Sequence, residues 1–387
     1  MKKYIINYID KKNPLILRDL ARVKWEAKLS YKYYKRKIYK IISFYNFRKA
    51  TLCYPRSIQF PLTNRCNLDC IMCNIQSKTF KDEIQIEVLE KVLKQNLFKR
   101  VNSVGINGGE PFLVNNLINY VDIFLCSLPK LKSIYIISNG VFTRRIQEML
   151  PMIRQHCIKS KVQLILSISI DGCEEVHDTV RNKKGTFAHA LETIQMIQRN
   201  KTAFCDYFNI ICTITKNNIF EINELDVLAK KNNWTISYNV ATVHERLNNN
   251  SKEKDFSIFS DREATYLAIE FFYKKFLETK SEIYYTLYRY LEDNEHKRIC
   301  NCSYLKSGIT ITPEGDICFC ATHSKVIGSI YDNKSLYDIY FKAENYNNEI
   351  RQKYCTNCSH YMMGDILDKE YKNYIKECID QYRSYRF

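Results

Sequence analysis

Three thiols, Cys66, Cys70 and Cys73, crowd into residues 63–73, which read Thr-Asn-Arg-Cys-Asn-Leu-Asp-Cys-Ile-Met-Cys. Gaps of three and two residues let one loop wrap three thiolates around one metal centre. A cubane 4Fe–4S cluster has four irons and normally takes four cysteines. Three cysteines leave one iron open to a small ligand, which is what a cluster needs to do chemistry. Structural zinc usually draws two close pairs of ligands, whereas this loop offers a triplet with no histidine nearby.

Three more stretches carry chemistry. In Gly108-Gly109-Glu110-Pro111 the glycines let a backbone approach a ligand, and the carboxylate can accept hydrogen bonds from an ammonium group. Alone, these four residues would read as a turn. Ser169 and the later Arg181 can bind a carboxylate and ribose hydroxyls, arginine's planar fork suiting the carboxylate. Between them, His177 and Asp178 read as loop and helix capping. The last stretch holds Cys300, Cys302, Cys318, Cys320, Cys355 and Cys358. Cys300 with Cys318 and Cys302 with Cys320 share one spacing, so two registers compete for a second metal site. Zinc held by four cysteines is the structural reading of that site.

These stretches together resemble the radical S-adenosylmethionine (SAM) enzymes. The resemblance rests on the triplet with its preceding Thr63-Asn64 and its Cys66-Asn67-Leu68 opening, with Met72 where an aromatic residue is frequent. Gly108, Gly109, Glu110 and Pro111 resemble the motif that holds the SAM amino group. Ser138 and Asn139 match the family's Thr-Asn-Gly position, and Ser169 and Arg181 its SAM-contacting strand end and arginine. Cys302, Pro313-Glu314-Gly315, Cys320, Gly328 and Cys355-Thr356-Asn357-Cys358 resemble the auxiliary-cluster module called SPASM or, in its shorter form, Twitch. Gly364 stands where a full SPASM module continues with cysteines, so the shorter form is expected. The resemblance spans roughly residues 56–362.

The resemblance implies a 4Fe–4S cluster on Cys66, Cys70 and Cys73 that binds SAM at its open iron. Reductive cleavage of SAM to a 5′-deoxyadenosyl radical and hydrogen abstraction would follow, with the cofactors supplying the chemistry and the barrel the positioning. A second, auxiliary 4Fe–4S cluster would sit on Cys302, Cys320, Cys355 and Cys358, its shell complete, as an electron carrier. The expected partners are an electron donor of flavodoxin or ferredoxin type and a peptide or protein substrate, oxidatively modified. A sugar or lipid-linked glycan is the alternative substrate. The resemblance carries no expectation of the winged-helix leader-peptide domain of some peptide-maturing relatives, since the 65 residues before Cys66 are read as short and helical. The competing class is a non-catalytic protein stabilised by zinc.

Positioning these groups falls to an alternation of strands and helices. Strands are expected at 56–62, 101–106, 133–138, 162–170, 208–215 and 235–240, from short β-branched apolar runs. Helical periodicity marks 82–96, 114–126, 143–156, 185–200 and 219–231. Crossover helices imply parallel pairing with ligand groups at the strands' C-terminal ends. Six units predict an α/β fold, an open, partial (β/α)6 TIM-like barrel. A polar break at 248–255 is expected to be mobile. Helices at 261–280 and 282–296 precede a tail from Cys300 with a hairpin around 312–316. The expected division is a basic helical segment 1–55, a barrel 56–245 and a C-terminal cluster module 256–387, with no internal repeat. His244 and Glu245 follow the sixth strand as candidate bases, an ordinary surface role being expected.

Composition sets the outer limits. The 387 residues are 45% hydrophobic, enough for a large core. No apolar run nears the roughly 20 residues that span a bilayer, and the charged start lacks a signal peptide's apolar stretch. A cytoplasmic protein is the expectation, with peripheral contact at a membrane as the alternative. Sixteen cysteines in a reducing compartment point to metal or catalysis rather than disulfides. Cys53, Cys126, Cys157, Cys173, Cys205, Cys212 and Cys378 fall outside both clusters and read as small buried hydrophobes. Of the formal net charge of +17, residues 1–50 hold 15 Lys/Arg against 3 Asp/Glu, with aromatics interleaved. That segment is read either as a helix packed across the barrel or as a contact for an anionic membrane surface, glycan or peptide. Nucleic acid is not expected, since no recognised binding motif is present.

Overall fold

The strands form where bulky apolar residues recur at every second position and bury one face under the crossover helices. In β4 (Gln163–Ser169), Leu164, Leu166 and Ile168 have no exposed surface, and in β3 (Ser133–Ser138) the same holds for Ile134 and Ile136. A computed structural model of the chain describes residues 23, 24, 27, 28, 30–35, 38, 52–78, 83–360 and 364–384. Its first six strands are β1 (Ser57–Thr63), β2 (Ser103–Gly108), β3, β4, β5 (Tyr207–Ile214) and β6 (Ile236–Val240), paired in parallel in chain order. The crossovers carry α1 (Ile86–Leu93), α2 (Leu117–Ser127), α3 (Thr143–Lys159), α4 (Glu174–Arg181), α5 (Thr186–Arg199) and α6 (Ile222–Lys231). This is the partial TIM-like barrel, with the candidate groups at the C-terminal strand ends.

Three features depart from the sequence expectation. The segment 174–181 is a helix rather than a loop. Two glutamates, Glu174 and Glu175, sit in its first turn, where the helix dipole favours them, and Asn182 ends it in the left-handed conformation. Asp178 then accepts from the backbone N–H of Gly185 and Phe187 at the start of α5, so its capping role holds.

The polar stretch 248–255 is not a mobile break. It folds as short 3-10 turns and a helical turn, Glu253–Phe256. Asn249 and Phe256 are completely buried. Asparagine-rich composition suggested solvation, but Asn249 Nδ2 donates to the carbonyls of Met72 (2.8 Å) and Thr242 (3.2 Å), while its Oδ1 accepts from His244 N (2.8 Å).

The C-terminal cysteine region continues the sheet of the first six strands. β7 (Gly308–Ile311) pairs with β1 in parallel, and β8 (Asp316–Cys318) and β9 (Gly328–Ser329) continue antiparallel, giving one nine-stranded sheet in the order β6-β5-β4-β3-β2-β1-β7-β8-β9. Without β7, β1 would expose an apolar edge. The long helices α7 (Arg262–Thr279) and α8 (Glu282–Glu292) bring Phe272, Phe276, Tyr285 and Tyr288 into a shared aromatic core with Tyr374 of α9 (Asp368–Ser384). α8 stops at Glu292, four residues short of the expected end.

The basic segment 1–50 lies largely outside the described residues, and so does its expected anionic contact. Residues 30–35 are helical. Tyr33 stacks on Tyr371, with ring centroids 5.9 Å apart, and Lys32 pairs with Glu282. No described helix is long and apolar enough to cross a membrane.

Candidate functional site

The cysteine loop leaves β1 and is fixed from three sides. Gly109 N donates to Thr63 O (2.7 Å) and Glu110 N to Arg65 O (2.9 Å), tying it to the end of β2. Ile71 N donates to Val180 O on α4 (3.0 Å), and Asn74 N to Leu247 O beyond β6 (3.1 Å). Its apolar residues Leu68 and Met72 form a small core of their own with Val180, Ala241 and Phe256. The segment after β6 thus holds the loop both by hydrogen bonds and by packing.

Gly108 and Gly109 also meet the cysteine loop. Gly108 has φ of 134°, where a side chain is strained. A β-carbon on Gly109 would lie 1.9 Å from the carbonyl oxygen of Arg65. The two glycines let β2 press against the cysteine loop itself.

Cys66, Cys70 and Cys73 line one cavity of about 280 Å³. Gly108, Gly109, Ser138, Asn139, Ser169 and Arg181 line it too. Glu110 and Pro111 do not. Both are buried behind the wall, and the Glu110 carboxylate accepts from Ser138 Oγ (2.9 Å), Asn139 N (2.8 Å) and Phe112 N (3.1 Å). Through these bonds the Glu110 carboxylate ties the end of β2 to β3. Burial pushes its carboxyl up to about 7, against the pull of those donors.

Asn139 Nδ2 donates to Asn67 Oδ1 (2.8 Å), so the end of β3 also orients the cysteine loop. Arg181 is buried, its guanidinium 2.6 Å from Asp171 and 3.7 Å from the sulfur of Cys70. Sequence reasoning missed Asp171 as the partner that holds this arginine; its place at the end of β4, ten residues before Arg181, was the available signal. His177 Nδ1 accepts from Asp171 N (3.0 Å), which keeps that carboxylate's backbone in place. Burial pushes the Cys66 thiol up to about 12 and raises Cys70 as well, Arg181 opposing the rise at Cys70.

A second, smaller cavity is lined by Cys302, Cys320, Cys355 and Cys358. Cys300 and Cys318 do not line it. The Cys300 sulfur instead accepts from Arg298 Nε (3.1 Å). Burial raises the thiols of Cys320, Cys355 and Cys358, Cys355 to about 12. Among the described residues, no three His, Cys, Asp or Glu side chains converge tightly enough to share a single metal ion. The thiols of both sets ring cavities instead, a donor arrangement that fits a cluster larger than one ion.

His244 was expected on the surface and is not there. It is 6% exposed and lines the first cavity with Arg246 and His360, while Glu245 is exposed. His360 and Ala321 line both cavities and form their common wall. Of the cysteines read as core, Cys157, Cys205, Cys212 and Cys378 are buried, Cys53 and Cys173 are half-buried, and Cys126 is exposed.

Residues 60–228 match the Radical SAM superfamily. The chain is 26% identical over 288 residues to the antilisterial bacteriocin subtilosin biosynthesis protein AlbA of Bacillus subtilis, covering 72% of this chain and 58% of AlbA. It thus spans less than two thirds of that relative. Among solved structures, anSMEcpe with bound AdoMet and the Cp18Cys peptide superimposes with a TM-score of 0.55 at 16% identity, covering 86% of this chain and all of the other. Streptococcus suis SuiB bound to its precursor peptide SuiA gives 0.53 at 17% identity, covering 74% and 65%. At these identities the structural likeness shows a common fold.

Proposed function

Because residues 60–228 form a radical SAM domain, we propose that the whole protein is a radical SAM enzyme that oxidatively modifies a peptide or protein. The observation that carries this reading is the convergence of Cys66, Cys70 and Cys73 on one cavity whose opposite wall belongs to a second ring of four cysteines. Cys66, Cys70 and Cys73 would hold a 4Fe–4S cluster with one iron left for SAM. Gly108, Gly109, Ser138, Asn139, Ser169 and Arg181 would surround the cofactor. Cys302, Cys320, Cys355 and Cys358 would hold the auxiliary 4Fe–4S cluster. Bound SAM, reduced through the cluster by a flavodoxin- or ferredoxin-like donor, supplies the means to abstract hydrogen from an unactivated carbon.

The chain's own residues do the rest. Leu68, Met72, Val180, Ala241 and Phe256 pack the underside of the loop and keep water from it. Asp171 holds Arg181 beside Cys70, where its positive charge favours the thiolate that a metal needs. The shared wall of Ala321 and His360 sets the two cysteine rings next to one another, which suits electron exchange between them. A peptide substrate is supported by the company the chain keeps: a bacteriocin biosynthesis protein and two enzymes solved with peptides bound.

The test is anaerobic reconstitution followed by incubation with SAM and dithionite. About eight irons per chain and release of deoxyadenosine are expected, from two four-iron clusters. Two zinc ions and no iron would instead support a zinc-stabilised binding protein.

A further inference from the structure

The groups assigned to SAM come from the ends of β1 to β4 and from α4, so they occupy one side of the cavity. The other side is built by residues that follow β6 and by the C-terminal hairpin region, chiefly His244, Arg246, Ala321 and His360. The His244 Nδ1 atom is buried and has no hydrogen-bond partner, although the ring is 94% removed from solvent. An orphaned polar atom at a cavity wall is costly unless a ligand satisfies it. Its position is well determined. His244 N is held by Asn249, and its ring meets that of His360 edge to face with centroids 5.7 Å apart.

The charge on this side has one sign. Among the described residues, no aspartate or glutamate lines the cavity. Arg181 pairs with Asp171 and lies beside Cys70, and Arg246 brings a second guanidinium beside His244. Burial, followed by the nearby Arg246, holds the imidazole well below its ordinary range, so it is a neutral hydrogen-bonding group at physiological pH. A permanent cation beside a neutral imidazole, with no carboxylate on the wall, is suited to receive an anion of planar, forked shape.

We propose that His244, Arg246 and His360 form a carboxylate-binding wall that selects a substrate segment bearing a free carboxylate close to the reacting carbon. The inference rests on the peptide-modifying reading above and narrows it to acidic segments. The carboxylate comes either from an aspartate or glutamate side chain or from the peptide's own C-terminus.

The probes are three fluorescein-labelled hexapeptides titrated against the reconstituted, SAM-loaded protein. One has two central glutamates and an amidated C-terminus, the second has glutamines in their place, and the third is the glutamine peptide with a free C-terminus. Wild-type protein is expected to bind one of the two carboxylate-bearing peptides about tenfold more tightly than the neutral one, the size of one charge-assisted contact. Which of the two wins identifies the carboxylate's source. In Arg246→Gln, or in Arg246→Met should the first not fold, the preference falls below about twofold, while Arg246→Lys retains part of it. SAM affinity stays within about twofold in each variant. No preference in the wild type, a preference that survives Arg246→Gln, or a parallel loss of SAM affinity would overturn the assignment, the last by giving Arg246 to the cofactor. Binding is read without turnover, so a peptide preference in protein that releases no deoxyadenosine would leave this wall standing and remove the radical reading alone.

Discussion

Burial lifts the Glu110 carboxyl to about 7 because three protein donors replace only part of the water it has lost. An acid raised in the folded state binds its proton more tightly there than in the unfolded chain, so its contribution to stability falls as pH rises from about 4.5 to about 7. Glu110→Gln removes that dependence but presents an amide to backbone N–H groups. It should destabilise the protein by about 1–3 kcal/mol at low pH, less at pH 8, as read by denaturant melts across that range. Cys66→Ala should abolish deoxyadenosine release and lower the iron content by about four per chain, while Cys53→Ala leaves both unchanged. The raised thiols predict one more property: metal must displace protons from Cys66 and Cys355, so reconstitution should improve as pH rises from about 6.5 to 8.5. The reactive cysteines were legible because thiol spacing is a direct statement about a metal. The role of Glu110 was not, since spacing cannot say which way a carboxylate turns.

At the scale of elements, the fit between β2 and the cysteine loop is the tightest contact in the site. Gly109→Ala places a β-carbon 1.9 Å from Arg65 O, and backbone cannot yield that far without moving the loop. The variant should lose the first cluster and keep the second, which iron counting with EPR resolves. Asn249→Ala breaks the clasp between the segment after β6 and Met72, and leaves the Met72 carbonyl and His244 N–H short of a partner. A loss of about 1–3 kcal/mol is expected. Strands β1 to β6 were readable from short apolar runs, and the helices from their period. The 248–255 clasp was not, because its partners are backbone carbonyls distant in sequence and composition alone suggested solvent. The helix Glu174–Arg181 was hidden by a polar first turn that reads equally well as loop.

For the whole molecule, the continuity of the sheet from β6 to β9 matters most. The second partner of β1, β7, is four residues long and lies some 250 residues from it in the chain. Local periodicity carries no information on such a pairing. Because β7 covers the edge of β1, a truncation before residue 300 should aggregate rather than yield a free barrel, checked by size-exclusion chromatography. The same continuity brings the two cysteine rings to a shared wall. Cys302→Ala and Cys320→Ala should therefore each remove about four irons, and Cys300→Ala and Cys318→Ala should not.

The central claim is that SAM completes the shell of a cluster held by Cys66, Cys70 and Cys73. Pulsed EPR of the reduced, reconstituted protein with SAM labelled at its amino nitrogen and carboxyl carbon tests it directly. Hyperfine coupling of both labels to the cluster is predicted in the wild type, with loss of both in Cys66→Ala. A fully loaded four-iron cluster that shows no coupling to either label would contradict the account.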